Sequence, residues 1–199
     1  MHKILLILGL ILMIGVPARA QNVPVQDEKD RVLGKEEAPI TIFEYASFTC
    51  PHCAAFDQRT LPKVKEMWID TGKAKLIFRD FPLDETALTA SVVTHCMPAE
   101  RFYPMIDVLY QNQGIWARAD DPVGSLKHFA ALGGASTAQI DACLQDQQLA
   151  NFIVGERFTA HQSYGVNSTP TFFINGKMIE GDVSYDTFAK ALENAQPKS

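Results

Sequence analysis

Strand-like sequence occurs in two blocks separated by a long helical stretch, and this most narrows the folds open to the chain. Residues 40–47 (ITIFEYAS), opened by Pro39, are nearly continuous in apolar or β-favouring residues, as in a strand buried on both faces. Residues 50–71 read as a helix. Pro51 stands in its first turn, where a missing N–H costs nothing, and Gly72 is placed as its C-cap. Pro62 predicts a kink inside it. Residues 75–80 (KLIFRD) read as a second strand, so this part predicts a right-handed βαβ unit with a parallel pair. Strands return only at residues 170–174 and 177–180, joined by Asn175-Gly176, a strong hairpin signal. A last amphipathic helix over residues 184–194 carries Tyr185, Phe188 and Leu192 on one face.

Between these blocks, residues 84–164 repeat apolar positions at helical spacing: Leu88, Val92, Val93 and Cys96, then Phe102, Met105, Ile106, Leu109 and Tyr110. Gly133-Gly134 breaks the pattern, and Ser136 opens a capped helix. Four or five helices with no strand among them are predicted. The outer blocks then join into one sheet with helices on both faces, and the helical block is an insertion packed over it: an α/β fold. Residues 21–38 are a polar lead segment with at most a short strand near 31–33.

Residues 1–20 have the layout of a cleaved export signal: Lys3, an uncharged apolar run over 4–16, Pro17, then Ala18-Arg19-Ala20. The apolar run is shorter than the roughly 20 residues a spanning helix needs. A mature chain from Gln21, exported and free of stable membrane insertion, is expected. Residues 1–20 hold Lys3 and Arg19 and no Asp or Glu, so removing them takes the net charge from −5 to −7. A mildly acidic surface argues against nucleic acid as a partner. Export places the four cysteines, Cys50, Cys53, Cys96 and Cys143, where disulfides persist. Four thiols allow three connectivities.

The chemistry concentrates at Cys50-Pro51-His52-Cys53, between a buried strand and a helix start. A sulfur there faces unpaired backbone N–H groups and the positive end of the helix dipole. Both stabilise a thiolate at Cys50, the reactive form. His52, when protonated, would add to this. A low thiol pKa also stabilises the reduced state and so makes the Cys50–Cys53 disulfide oxidising. The alternatives are half a zinc site, for which no second Cys pair exists, and an inert structural disulfide.

Glu44 shares a strand face with Ile40, Ile42 and Ala46, six residues before Cys50. A carboxylate there is predicted to be partly buried with a raised pKa, beneath Cys53, where it can carry that thiol's proton. The alternative is a carboxylate reaching solvent at the sheet edge. Pro170 opens a strand, which composition alone would make a trans edge proline. Phe48, Phe81, Trp116 and Tyr164 are candidates for a substrate groove, although most aromatics in such a chain belong to the core. His95, His128 and His161 read as surface or capped residues, with His161 near the Pro170 loop.

The segments FEYASFTCPHC, FRDFPL and GVNSTPTFFINGK, in this order and separation, resemble the DsbA branch of the thioredoxin superfamily. The resemblance covers residues 38–195. It implies a thioredoxin fold with an inserted helical subdomain over about 84–164. Cys50 would attack, Cys53 resolve and Glu44 assist proton transfer, with Thr169 and a cis Pro170 meeting the substrate. It also implies a second, non-catalytic disulfide between Cys96 and Cys143; two free buried thiols or a redox-sensing pair are the alternatives. Thr169 stands where many DsbA proteins carry Val, and Thr there also occurs in isomerases and reductases.

The function implied is a periplasmic dithiol oxidase that donates the Cys50–Cys53 disulfide to reduced or unfolded exported proteins. A membrane quinone-linked partner resembling DsbB would reoxidise it. A monomer is expected, with no metal or organic cofactor. Two alternatives stand beside it: a disulfide isomerase or reductase of the same fold, and a peptide-binding or chaperone module with a structural disulfide. Isomerases of this superfamily usually carry an N-terminal dimerisation domain, for which residues 21–38 are too short.

Overall fold

The computed structural model describes residues 22–197. The export signal expected at residues 1–20 lies outside them. Five strands form one mixed sheet in the order β1-β3-β2-β4-β5. They are β1 (Val32–Gly34), β2 (Ile40–Ala46), β3 (Ala74–Asp80), β4 (Thr171–Ile174) and β5 (Lys177–Glu180). β2 and β3 run parallel, with Ile40 opposite Ala74 and Ala46 opposite Asp80. β4 lies antiparallel on the other side of β2, with Glu44 opposite Phe172. β1 and β5 are antiparallel edges. The central strands are short and almost fully buried, which is why they read as continuous apolar runs rather than alternating ones. The Asn175-Gly176 turn holds both residues at positive φ, 45° and 84°, the pairing that a tight two-residue hairpin requires.

The lead segment is tied down by more than β1. Buried Arg79 of β3 grips Asp30 with two parallel bonds, Nε to Oδ1 at 2.9 Å and Nη2 to Oδ2 at 2.7 Å. Such a forked pair fixes orientation as well as distance.

The helix after β2 is broken where proline chemistry demands it. It comprises α1 (Pro51–Arg59) and α2 (Leu61–Val64), continued by a wider π turn over Lys65–Ile69. Pro62 has no N–H to return to the preceding turn, and the break falls just ahead of it, at Thr60. Gly72 follows with φ 77°.

The insertion holds six α-helices rather than four or five, besides a single 3-10 turn over Ala99–Arg101. They are α3 (Glu85–His95), α4 (Phe102–Gln111), α5 (Gln113–Trp116), α6 (Pro122–Leu132), α7 (Thr137–Leu144) and α8 (Gln147–Tyr164). The count differs because Asn112 leaves helical geometry, at ψ 15°, and splits one periodic stretch into α4 and α5. Four of these helix starts are capped by side chains: Asp84 accepts from Ala87 N, Asp121 from Gly124 N, Ser136 from Gln139 N, and Asp146 from Gln148 N and Leu149 N. The Asp146 cap also explains why α8 begins two residues before its apolar pattern does. The closing helix, α9 (Tyr185–Ala195), is capped by Ser184 and turns Phe188 and Leu192 into the core.

The larger core lies on the α1 face of the sheet, where Ile40, Ile42, Ala46 and Phe172 meet Phe56, Phe188 and the inner faces of α3 and α4. Phe48, Phe78, Phe102 and Tyr110 form an aromatic bridge between the sheet and the insertion, with Phe48 stacked on Tyr110 at 5.3 Å. A smaller cluster of Phe43, Tyr45, Ile77 and Phe173 covers the opposite face.

Cys96 at the end of α3 and Cys143 in α7 are joined by a disulfide, with Cα atoms 6.1 Å apart and a sequence separation of 47. A link of that length removes unfolded-state entropy equivalent to about 4 kcal/mol at most. Cys96→Ala/Cys143→Ala is therefore expected to lower the free energy of urea unfolding by up to about that amount. The measurement is made with Cys50 and Cys53 held in one redox state, and a cost near zero would show that the bridge does not stabilise the fold.

Candidate active site

β2 ends at Ala46, and the chain turns through residues 47–50 to enter α1. Cys50 is the N-cap of α1, extended at φ −77°, ψ 120°. Its carbonyl accepts the first helical bond, from Ala54 N at 3.2 Å. Pro51 is the first helical residue and has no N–H, so the free donors nearest the Cys50 sulfur are those of His52 and Cys53. A Ser or Asp at this position would accept them through its side-chain oxygen. A neutral thiol is a poor acceptor, and Cys50 makes no such capping bond as a thiol. An ionised sulfur supplies what those N–H groups lack. The site therefore favours the charged form of Cys50 over the neutral one.

Cys50 and Cys53 are both free thiols here, 5% and 0% exposed. Burial that deep would raise a lone thiol's pKa, yet Cys50 is lowered from the ordinary 9.0 to about 5. The largest cause is a hydrogen bond from the Cys53 thiol. Burial opposes it, and the Thr169 hydroxyl and the backbone N–H groups of Cys53 and His52 reinforce it. Thr169 has two faces toward this sulfur. Its carbonyl accepts from the neutral Cys50 Sγ at 3.3 Å, while its hydroxyl oxygen is buried with no partner. On ionisation the roles exchange, and the hydroxyl gains an acceptor. The Thr169–Pro170 peptide bond is cis. His52 contributes its backbone N–H, and its imidazole stands at the surface.

Cys53 moves the other way. Burial, the bond it gives to Cys50, and the charges of Cys50 and Glu44 push its thiol well above 9.0. The two sulfurs are thus strongly differentiated, one ionised and one holding its proton. Glu44, 3% exposed, lies on the α1 face of β2. Burial first, and then the nearby carboxyls of Asp57 and Asp107, raise its pKa well above 4.5. Asp57 of α1, itself buried, is pushed to about 8 by burial and Asp107. A carboxyl pair with raised pKa values therefore lies on the α1 side of the sheet, with Glu44 close enough to Cys53 that its ionisation would bear on that thiol.

Of the groove candidates, Phe48, Phe81 and Trp116 are fully buried core. Trp116 donates its indole N–H to Leu109 O at 2.7 Å. Tyr164 lies against Tyr45 and Phe173 in the cluster on the other sheet face. Aromatic bulk near the motif was used to fill the core and the bridge to the insertion, not to line a groove. His95 is no surface residue either: its Nε2 is 2.7 Å from the buried Asp80 Oδ2. His161 Nδ1 meets Val166 O at 3.1 Å, below the Pro170 loop.

Several residues that hold the site carry no local sequence signal. Thr49 Oγ1 donates to Asp84 Oδ2 at 2.7 Å, and Leu83 N donates to Ser47 Oγ at 3.3 Å. Tyr110 Oη donates to Ser47 O, and Gln113 Nε2 donates to both Phe48 O and Cys50 O. Each spans more than thirty residues of sequence, so no local pattern announces it.

Among the described residues there is no group of three or more His, Cys, Asp or Glu side chains arranged to hold a metal ion. No helix among them is long and apolar enough to cross a membrane.

The raised carboxyls predict a pH signature. Glu44 binds its proton more tightly folded than unfolded, so its contribution to stability is lost as pH rises above about 4.5 toward its folded value. Glu44→Gln removes that loss. In the disulfide form, where neither Cys50 nor Cys53 titrates, the variant is expected to match the parent near pH 4 and to exceed it increasingly at alkaline pH in urea unfolding. Parallel pH profiles would mean that Glu44 is not held protonated.

The family model described as Thioredoxin matches residues 26–194. The crystal structure of Wolbachia pipientis alpha-DsbA1 superposes with a TM-score of 0.80 and 30% identity, over 87% of this chain and 92% of that one. A putative protein-disulfide oxidoreductase of Rickettsia bellii (strain RML369-C) is 29% identical over 87% of this chain and 67% of its own length. A probable disulfide bond formation protein D of Bacillus cereus is 27% identical over 83% of this chain and 78% of its own. The chain spans about two thirds or less of the length of the Rickettsia relatives it matches. With the family model spanning most of the described residues and a DsbA structure superposing over nearly its whole length, the chain belongs to the thioredoxin family, among the DsbA-like thiol–disulfide oxidoreductases.

Proposed function

We propose that this protein is an exported dithiol oxidase, which passes the Cys50–Cys53 disulfide to the thiols of folding proteins. The observation that carries this reading is the placement of Cys50 as the N-cap of α1, its buried sulfur 3.3 Å from the Thr169 carbonyl, a setting that lowers its thiol to about 5. A thiolate so stabilised favours the reduced protein over the oxidised one at neutral pH, and the disulfide is correspondingly oxidising.

The reaction follows from the two unlike sulfurs. A substrate thiolate attacks Cys50 Sγ of the disulfide. The S–S bond breaks and its electron pair goes to Cys53, which takes up a proton. Glu44 is the donor nearest in kind, a buried carboxyl held protonated. The mixed disulfide on Cys50 lies against Thr169, whose backbone can pair with the substrate chain. A second substrate thiolate then attacks the substrate sulfur, and Cys50 leaves as its stabilised thiolate. The substrate has lost two electrons, and the enzyme holds them as the Cys50 thiolate and Cys53 thiol. A membrane quinone-linked partner resembling DsbB would remove them. Export rests on the pattern of residues 1–20, and the chain recovered from a periplasmic fraction is expected to begin at Gln21; recovery with Met1 intact in the cytosol would refute export.

Thr169, in place of Val, favours the isomerase or reductase reading of the same site, and enzymatic poise separates the two. The disulfide form is expected to oxidise reduced ribonuclease rapidly, while the dithiol form unscrambles mispaired ribonuclease poorly. Fast unscrambling with slow oxidation would make the protein an isomerase.

A further inference from the structure

The turn that presents Cys50 is held from outside the thioredoxin core. Gln113, the first residue of α5, sends one amide nitrogen to two carbonyls of that turn: Phe48 O at 2.7 Å and Cys50 O at 2.9 Å. Both contacts face carbonyl oxygens, so the nitrogen and not the oxygen of the Gln113 amide must point at them, and both amide hydrogens are spent there. No other bond to Phe48 O is made among the described residues. Cys50 O takes only Ala54 N besides. The two carbonyls lie on either side of Thr49, one residue before the nucleophile's own peptide and at that residue itself. Holding both restrains the backbone torsions of Thr49 and Cys50 together, and with them the angle between the sulfur and the first free N–H groups of α1.

Gln113 does not act alone in gripping this turn. Tyr110 Oη reaches Ser47 O at 3.3 Å from α4, and Asp84 at the start of α3 accepts Thr49 Oγ1. All three belong to the helical insertion. Gln113 is the one that touches Cys50 itself. It is half-buried, and its neighbour Gln111 is exposed on the same face of the molecule and makes no hydrogen bond to the turn.

We propose that Gln113 is a positioning residue for the chemistry of Cys50, and that through it the helical insertion sets the reactivity of a nucleophile that belongs to the core fold. It touches neither substrate nor sulfur. It acts by holding the turn in the geometry that lets an ionised Cys50 accept from the start of α1. The inference rests on the reading of Cys50 as the nucleophile.

The test is the pH profile of alkylation of Cys50 in the reduced, full-length protein, with a small iodoacetamide-type reagent. Gln113→Met keeps the bulk and removes both donors, Gln113→Ala removes bulk as well, and Gln111→Ala is the control. The parent and the Gln111 variant are expected to show a midpoint near 5. Gln113→Met is expected to raise it by about one unit, reducing the thiolate fraction at acidic pH by about tenfold. If Gln113→Met does not fold, Gln113→Ala is read in its place with the same expectation. A Gln113 variant that melts earlier but keeps the parent midpoint has a structural residue only, and the inference is overturned while the reading of Cys50 stands. An ordinary midpoint in the parent itself overturns both.

Discussion

A sulfur stands where a helix normally takes an oxygen cap, and the rest of the site is arranged around that substitution. The first turn of α1 has two N–H groups within reach of Cys50, because Pro51 contributes none and the chain cannot satisfy His52 and Cys53 from within the helix. In a buried position those donors are worth more than they would be in water, and they reward only the charged sulfur. The Cys53 thiol gives the charged sulfur its strongest hydrogen bond, and Thr169 adds a hydroxyl with no other partner. Burial alone would have driven Cys50 the opposite way, as it does Cys53 only three residues later. Two thiols of the same chemistry, one turn apart, are thereby separated into a leaving group and a proton holder.

That asymmetry has a stability cost, and the fold carries it in identifiable places. Glu44 and Asp57 are buried carboxyls with no cation beside them, which a packed core tolerates only by keeping them protonated. Both sit on the α1 side of the sheet among Ile42, Ala46, Phe56 and Phe172, where an ionised carboxylate would find little to solvate it. Elsewhere the design is conservative. Side chains cap α3 and α6 to α9, Arg79 is paired with Asp30, and the Cys96–Cys143 bridge closes the insertion on itself.

Much of this could be read along the chain wherever cause and effect are local. The apolar runs of β2 and β3, the Asn175-Gly176 turn, the helix opening at Pro51 and the caps at Ser136 and Ser184 each depend on a few neighbouring residues. Glu44 could be placed on the α1 face because strand alternation is a local rule. What escaped the sequence was long-range. Asn112 splits a helix without breaking its apolar period. Trp116 and Phe48 look identical to groove residues until the insertion is seen to cover them. Asp57 gives no sign of its raised pKa until Asp107 arrives from α4. Gln113 is an ordinary glutamine until α5 brings it against the turn, sixty-three residues from Cys50. The Cys96–Cys143 pairing came from family resemblance, since four thiols leave three connectivities open.

The most direct measurement is an ultraviolet thiolate titration of the reduced protein, with Cys96 and Cys143 still bridged. One thiolate is expected to appear with a midpoint near 5, and the second to remain protonated well past the ordinary 9.0. Two thiolates rising together near 9 would mean that neither the Cys53 thiol nor the start of α1 stabilises a Cys50 thiolate, and the account of this site would fail.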